Sequence, residues 1–260
     1  MLSKNQLKLV RSLELKKNRK REKLFVAEGP KVVGDLLRSG FIPRMVFATE
    51  GAQLSFSKAQ QPHVNAQQYT PVQLVTDDEL HRLSFLQHPQ EVLAVMEIPD
   101  THYPSSANSQ LSLALDGVQD PGNVGTIIRI ADWYGMDAVY CSPDTADIYS
   151  PKVVQATMGS LAHVPIIYCD LVELLGKAKC PVYGTLLDGS DIYTQPLSPH
   201  GIIVMGNEGN GISAPVRSLV SHRLLIPNFN KGVETAESLN VAIATAITCS
   251  EFRRRYGTKE

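Results

Sequence analysis

The chain has no apolar run long enough to cross a bilayer. Its longest, residues 202–205 and 241–247 (the second interrupted by Thr245), fall far short of the roughly 18–20 residues a span needs. The opening stretch MLSKNQLKLVRSLELKKNRKREK has no apolar core and no small-residue cleavage site, so no secretory signal is expected, and Glu14 and Glu22 weigh against a mitochondrial presequence. Cysteine is scarce. Cys141, Cys169, Cys180 and Cys249 form no CxxC pair, and the seven histidines include no HExxH. No metal site is expected, and the cysteines read as free thiols of a cytoplasmic protein. A glycine fingerprint GxGxxG after a strand, a Walker A sequence, a kinase motif set and a GxSxG elbow are all missing. Dinucleotide binding, P-loop phosphate chemistry and α/β-hydrolase catalysis therefore have no foothold. No internal repeat or low-complexity tract is visible.

What is there is enough apolar material for a true core. Of 260 residues, 43% are hydrophobic and 20% charged, which excludes a wholly disordered chain and allows one large domain or two small ones. The near-zero net charge of −1 hides an asymmetry: residues 1–44 hold 12 Lys or Arg against 4 Asp or Glu, whereas residues 45–252 are acidic. Lys16, Lys17, Arg19, Lys20 and Arg21 concentrate this basic arm. Such a cluster suits phosphate contacts, which gain from counterion release, or else it is simply the solvated face of a helix.

The first third reads as a small α/β unit. Strands are expected at 23–28, 44–49, 72–76 and 91–98, with a helix opened by Pro30 and stopped at Gly40 and another capped by Asp77. The polar, proline- and serine-bearing stretch 99–110 is the expected linker. From residue 111 the pattern becomes regular: strands at 111–118, 138–141, 165–168, 182–187, 201–205 and 223–226, helices between most of them, and a final helix from about 237 to 255. Continuous apolar strands alternating with helices imply a parallel sheet covered on both faces. The expected layout is a domain at 1–98, a linker at 99–110 and a domain at 111–260.

Three clusters carry chemistry, each where a strand meets a loop. The first is DGVQDPGNVGTIIRIADWYG, residues 116–135. Here Asn123 is placed to cap a helix, and Arg129 is a cation set among apolar neighbours. The second is IIVMGNEGNGIS, residues 202–213, a glycine-rich turn containing Glu208. It has no lysine to neutralise a triphosphate, so it suits an amino-acid or nucleoside ligand. The third is LIPNFNKGVETAESLNV, residues 225–241, in which Ser238 reads either as a helix cap or as a site residue.

In this order the three clusters resemble the SpoU/TrmH family of the SPOUT methyltransferase superfamily, over about residues 111–255. Residues 5–50 resemble the substrate-binding domain that precedes the catalytic domain in many members. The resemblance implies an α/β fold with a deep C-terminal trefoil knot, a homodimer, and methyl transfer from S-adenosylmethionine to a ribose 2′-hydroxyl of ribosomal or transfer RNA. The two-domain layout is similar to members acting on large-subunit ribosomal RNA. By motif, Asn123, Arg129, Glu208, Ser238 and Asn240 match the family's catalytic set. Gly206, Ile226 and Leu239, with Thr185 and Leu186, match its cofactor contacts, and Lys16, Lys17, Arg19, Lys20 and Arg21 are expected on RNA phosphates. Glu208 is expected to order its loop or orient Arg129. A base-methylating enzyme of the same superfamily, or a non-catalytic RNA-binding protein that keeps the fold, are the alternatives. The stretch 227–237 is longer than the compact loop common in the family.

Overall fold

A computed structural model describes residues 2–53, 70–99, 110–230 and 236–256. The expected linker, 99–110, lies outside the described residues except at its two ends. The chain divides into two compact units, Met1–Asp100 with Asp147–His163, and Thr101–Ala146 with Val164–Glu260.

The first unit opens with two helices in the basic arm, in keeping with the helical alternative for that stretch. Helix α1 (Lys4–Ser12) begins with a capping box, in which the Ser3 hydroxyl and the Gln6 amide each bond the other residue's backbone N–H. Helix α2 (Lys16–Glu22) follows and ends on Lys23 in the left-handed conformation. Strand β1 (Leu24–Glu28), helix α3 (Pro30–Arg38) and strand β2 (Pro43–Ala48) fall close to expectation. Strand β3 (Val72–Leu74), helix α4 (Asp77–Leu83) and strand β4 (Val92–Glu97) complete the run. Thr76, not Asp77, caps α4, because its hydroxyl accepts the Glu79 N–H. The sheet order is β1-β4-β2-β3, antiparallel except for β2 with β3. Val10, Leu13, Val26, Phe47, Leu83 and Leu93 lie in one buried cluster beneath it. Each such side chain contributes about 1.5–3 kcal/mol by leaving water.

Residues 147–163, read from sequence as part of the second domain, pack in this first unit instead. They carry helix α6 (Pro151–Thr157), which lies against β1. The Tyr149 ring sits 4.9 Å from that of Phe25, and Asp147 pairs with Arg19. Strand–helix alternation in the sequence shows which elements form, but not which sheet a short helix will cover.

The second unit holds a six-stranded, all-parallel sheet of order β10-β8-β9-β5-β6-β7. Its strands are β5 (Leu111–Asp116), β6 (Val139–Cys141), β7 (Ile166–Tyr168), β8 (Val182–Asp191), β9 (Gly201–Gly206) and β10 (His222–Leu225). Helices α5 (Pro121–Trp133), α7 (Leu171–Gly176), α8 (Ala214–Arg217) and α9 (Val241–Tyr256) connect or follow them. The chain runs from β5 outward through β6 to β7, then crosses to β8 and β9 on the other side. The boundary between β5 and β9 is thus the point where strand order reverses, where open α/β sheets bind ligands beyond their strand ends. Asp116 and Gly206 are register partners there, each the last residue of its strand.

Helix α9 is locked by its own arginines. Arg253 Nε donates to the Tyr134 carbonyl at 2.7 Å, satisfying the end of α5. Arg255 Nη2 donates to the carbonyls of Ile192 (2.9 Å) and Tyr193 (2.7 Å), and its Nε to Glu251 (2.7 Å). Glu251 is only 4% exposed. Hydrogen bonds from Arg254, then from Arg255, hold its carboxyl down at about 2. The depressed value means that this carboxylate contributes stability above the ordinary glutamate range and that the contribution is lost as pH falls from about 4.5 toward 2. Thermal melts should therefore show Glu251→Gln less stable than wild type at pH 7, with the gap closing below pH 3. A gap constant across that window would refute the assignment.

Burial pushes the thiols up, Cys169 to about 11 and Cys249 to about 12, so they are inert at neutral pH. Among the described residues no helix is long and apolar enough to cross a membrane, and no group of three or more His, Cys, Asp or Glu is placed to hold a metal ion.

Candidate active site

The site is built at the carboxyl ends of β5 and β9 in the second unit. Beyond β5, Gly117 takes φ +68°, a conformation that favours glycine, and the chain turns into α5. The helix starts three residues earlier than a cap at Asn123 would place it. Asp120, not Asn123, is its cap: the Asp120 carboxylate accepts the Asn123 N–H at 2.8 Å, and Pro121 fills the first position. This leaves the Asn123 side chain free for other work. Beyond β9, residues 207–211 close a tight turn, with paired backbone bonds between Asn207 and Gly211 at 3.0 and 2.9 Å. The Asn207 side chain organises that turn. Its Oδ1 accepts the N–H groups of Gly209 (2.9 Å) and Asn210 (3.0 Å), while its Nδ2 donates to the Gly117 carbonyl at 2.7 Å. Asp116 adds a second tie, accepting the Ser213 N–H at 2.7 Å.

Sequence reasoning missed Asn207, Asp116 and Asp120. An Asn inside a glycine-rich turn, and an Asp three residues before the third position of a helix, are the signals that point to them.

Three expected site residues meet in one chain of hydrogen bonds. Asn240 caps α9, its Oδ1 accepting the N–H groups of Ala242 (3.0 Å) and Ile243 (3.3 Å). The helix therefore begins at Val241, later than the expected start, and Ser238 is not its cap. Because Oδ1 must accept, Nδ2 of Asn240 must donate, and it does so to Asn123 Oδ1 at 2.9 Å. Asn123 Nδ2 in turn donates to Glu208 Oε1 at 2.7 Å. The helix cap thus fixes the orientation of both amides, and Glu208 is the acceptor at the end of the relay. Among the described residues Glu208 makes no ion pair with Arg129, and the side-chain hydrogen bonds within its turn come from Asn207.

Arg129 stands six residues along α5 from Asn123, about 9 Å further and some 120° round. It lies on the exposed row formed by Gly122, Thr126, Arg129 and Trp133, while Ile127 and Ile128 beside it are fully buried. Its guanidinium has no hydrogen bond or ion pair among the described residues. Ser238 and Leu239 are exposed on the approach to α9, and Ser238 has no hydrogen bond to the relay.

The expected cofactor residues share the same sheet edge. Between Arg223 and Leu224 the partner on β8 jumps from Gly184 to Ser190, so residues 185–189 bulge out of the ladder within β8. Asp188 fixes this bulge by accepting from Arg217 (2.5 Å) and Arg223 (3.2 Å). Thr185 reaches the Val204 carbonyl at 3.4 Å, and Leu186 packs on the core, while Leu187 is 72% exposed. At Gly206 an added Cβ would overlap the backbone of Gly211 and Ile212. Ile226 is half-buried after β10.

With this geometry in hand, comparison with known proteins is decisive. Residues 110–250 match the SpoU rRNA methylase family, and residues 4–94 match the MRM3-like substrate-binding domain. The chain belongs to the SpoU rRNA methylase family. Among its SpoU relatives, the 23S rRNA (guanosine(2553)-2′-O)-methyltransferase RlmP of Bacillus subtilis is 31% identical over 94% of each chain. A TrmH-family protein from Porphyromonas gingivalis superposes with a TM-score of 0.84 at 42% identity, covering 98% of this chain and 99% of its own. An rRNA methyltransferase from Sinorhizobium meliloti, solved with AdoMet bound, gives 0.84 at 29% identity, over 99% and 97%. The SpoU match spans every residue of the relay, and the match to the smaller domain includes α1 and α2.

The relay itself is testable. Asn123→Asp would set a carboxylate against Glu208 where a donor now stands. Methyl transfer is expected to fall by at least about tenfold, the cost of one lost charge-assisted hydrogen bond, and Glu208→Gln on that background should recover part of it. A double-mutant cycle with no coupling would separate the two residues.

Proposed function

We propose that this chain is an S-adenosylmethionine-dependent RNA methyltransferase that acts in the cytoplasm on a ribose 2′-hydroxyl of ribosomal RNA, with the large subunit favoured by its relatives. The observation that carries this reading is the Asn240–Asn123–Glu208 relay at the strand-order reversal, with Asn123 on the same helix as Arg129, which has no hydrogen bond or ion pair among the described residues.

The site fits the cofactor. Gly206 lets the 207–211 turn pack directly on the end of β9, and exposed Leu187 and Leu239 offer apolar surface to an adenosyl group. Thr185, Leu186, Gly206, Ile226 and Leu239 would hold it, and it would supply an electrophilic methyl group. A ribose hydroxyl is a weak nucleophile, and orientation alone can remove on the order of 7–11 kcal/mol from such a barrier at best. The amides of Asn123 and Asn240, held by the cap, and the Ser238 hydroxyl provide hydrogen bonds to a ribose. The Arg129 guanidinium orients the hydroxyl or a neighbouring phosphate electrostatically rather than removing its proton.

We also assign a deep trefoil knot to the second unit, by family resemblance, and a homodimer. Trp133 (84% exposed) and Ile243 (52%) sit on α5 and α9, which pack together, and nearby Tyr134, Tyr193, Ala246 and Ile247 line a shallow groove with Ser250, Glu251 and Arg254 at its polar side. Such an exposed apolar face suits a second copy. Within the first unit, Lys16, Lys17, Lys20 and Arg21 would contact RNA phosphates.

Calorimetric titration with S-adenosylhomocysteine, followed by mapping of 2′-O-methylation on unmodified ribosomal RNA, tests the reading. One saturable site per chain and ribose methylation support it. Base methylation would favour the alternative enzyme. A folded dimer that binds neither cofactor nor methyl acceptor would favour the non-catalytic RNA-binding protein.

A further inference from the structure

One residue of the basic arm does not face outward. Arg19 is 3% exposed. Its Nη1 donates to the carbonyls of Leu13 (2.6 Å) and Glu14 (2.7 Å), and its Nε and Nη2 reach Asp147 Oδ2 at 3.1 and 2.6 Å. The expected phosphate contact for Arg19 is thereby corrected: every donor group the guanidinium presents is used inside the unit. Neighbouring Asn18 is buried too, its amide donating to the Ser12 carbonyl at 2.7 Å.

With Arg19 and Asn18 turned inward, helical geometry sends Lys17, Lys20 and Arg21 to the opposite side of α2, since each lies more than 90° round from that inward direction. All three are exposed. Helix α1 repeats the arrangement. Val10 is fully buried on its inner side, and Lys8, two positions away, points about 160° from it. Lys4 lies one turn before Lys8 on the same outer side, about 6 Å along the axis. Lys4, Lys8, Lys17 and Lys20 are exposed and make no ion pair among the described residues, and Arg21 pairs only with exposed Glu22. Arg11, at the flank, is otherwise engaged, donating to the Ser84 carbonyl at 2.6 Å and lying over the Phe85 ring.

We propose that the outer sides of α1 and α2 form one phosphate-gripping surface for RNA, with Lys4 and Lys8 as members alongside Lys17, Lys20 and Arg21, and that the buried Arg19–Asp147 pair is the positioning element that aims it. This rests on the reading of the chain as an RNA methyltransferase. The occupant is a nucleic-acid backbone because five exposed cations at helical spacing outnumber the exposed carboxylates Glu14 and Glu22 beside them, and the one large apolar side chain exposed there is Leu15. An exposed, unpaired lysine row gains most where each contact releases a counterion. An acidic protein would need hydrogen-bonding and packing partners that this row lacks.

The test is the salt dependence of binding between the full chain and an unmodified stem–loop transcript of large-subunit ribosomal RNA, read beside methyl transfer. Each lost phosphate contact lowers the slope of log K against log salt by about 0.7–0.9. Lys4→Gln with Lys8→Gln should lower it by about 1.5, and the Lys17, Lys20 and Arg21 triple Gln variant by about 2–2.5. KM for RNA should rise in both with kcat retained, and Lys177→Gln, a surface change in the other unit, should leave the slope alone. Arg19→Gln and Arg19→Lys should both lower the melting temperature, because a single terminal nitrogen cannot span the Leu13 and Glu14 carbonyls and Asp147 as the three nitrogens of the guanidinium do. Unchanged slopes in the Lys4/Lys8 variant, in an enzyme that methylates RNA, would overturn this inference and leave the proposed function standing. A wild-type chain that binds no RNA would overturn both. An Arg19→Gln variant that loses one unit of slope while keeping its melting temperature would return Arg19 to the phosphates.

Discussion

Replacing Arg129 by alanine is expected to lower methyl transfer by about a hundred- to a thousandfold, the usual effect of removing one preorganised electrostatic contact to the reacting centre. Binding of S-adenosylhomocysteine should stay within about twofold of wild type. The separation follows from where Arg129 stands. It is exposed, on the same row of α5 as Gly122 and Thr126, and its guanidinium bonds to nothing among the described residues. Its removal therefore leaves no buried donor or acceptor unpaired, and stability should shift by no more than about 0.5 kcal/mol. The proposed cofactor residues lie on other elements, at the ends of β8, β9 and β10 and before α9. Arg129→Lys should rescue poorly, because an ammonium lacks the planar, two-pronged donor set. Single-turnover rates and calorimetry on the same preparations decide the matter. An alanine variant with wild-type kcat would remove Arg129 from the chemistry, and one that loses cofactor affinity would place it in the pocket instead.

Much of the fold was readable because its strands are continuous apolar runs and its helices carry their own punctuation. β5 and β9 are buried along nearly their whole length, and Pro30 and Gly40 bracket α3 as written. What escaped was set by partners distant in sequence. Within residues 116–135 both Asp120, followed by Pro121, and Asn123 are good caps, and only the fold shows that Asp120 takes that place and so releases Asn123. Nothing within residues 225–241 says that Asn240, rather than Ser238, caps α9, since both types are good caps. Only the folded sheet brings Asn240 to Asn123, 117 residues apart, and so fixes which end of each amide donates. The same holds for Arg19. In sequence it is one cation among five, and only Asp147, 128 residues away, distinguishes it. Motif resemblance pointed to Asn123, Glu208 and Asn240 together, but the relay that joins them is a property of the fold.

The second large effect is expected at Gly206. An alanine there would drive its Cβ into the backbone of Gly211 and Ile212, and no rotamer change relieves a clash between backbone atoms. Either the end of β9 leaves its register with Asp116, or the 207–211 turn opens and its paired Asn207–Gly211 bonds are lost. Strain of this kind costs about 1–3 kcal/mol, a drop of several degrees in melting temperature for a chain of this size. Function should suffer more than stability. Asn207 ties this turn to the Gly117 carbonyl, and Glu208 on the same turn ends the amide relay, so displacement by a few tenths of an ångström misplaces Asn123 as well. Affinity for S-adenosylhomocysteine is expected to fall at least about tenfold, which is 1.4 kcal/mol, and methyl transfer with it. The neighbouring glycines supply the controls. A Cβ at Gly209 meets only Asn207 Oδ1 at an ordinary 3.5 Å, so Gly209→Ala should bind cofactor normally. Gly211 has open space around it but holds φ +67°, so Gly211→Ala should lose stability by about 1 kcal/mol with little change in affinity. The order Gly206, Gly211, Gly209 in stability, with affinity lost at Gly206 alone, is the signature of a turn packed against its own strand. Equal effects at all three would mean that the loop tolerates or rejects side chains for reasons other than this close approach.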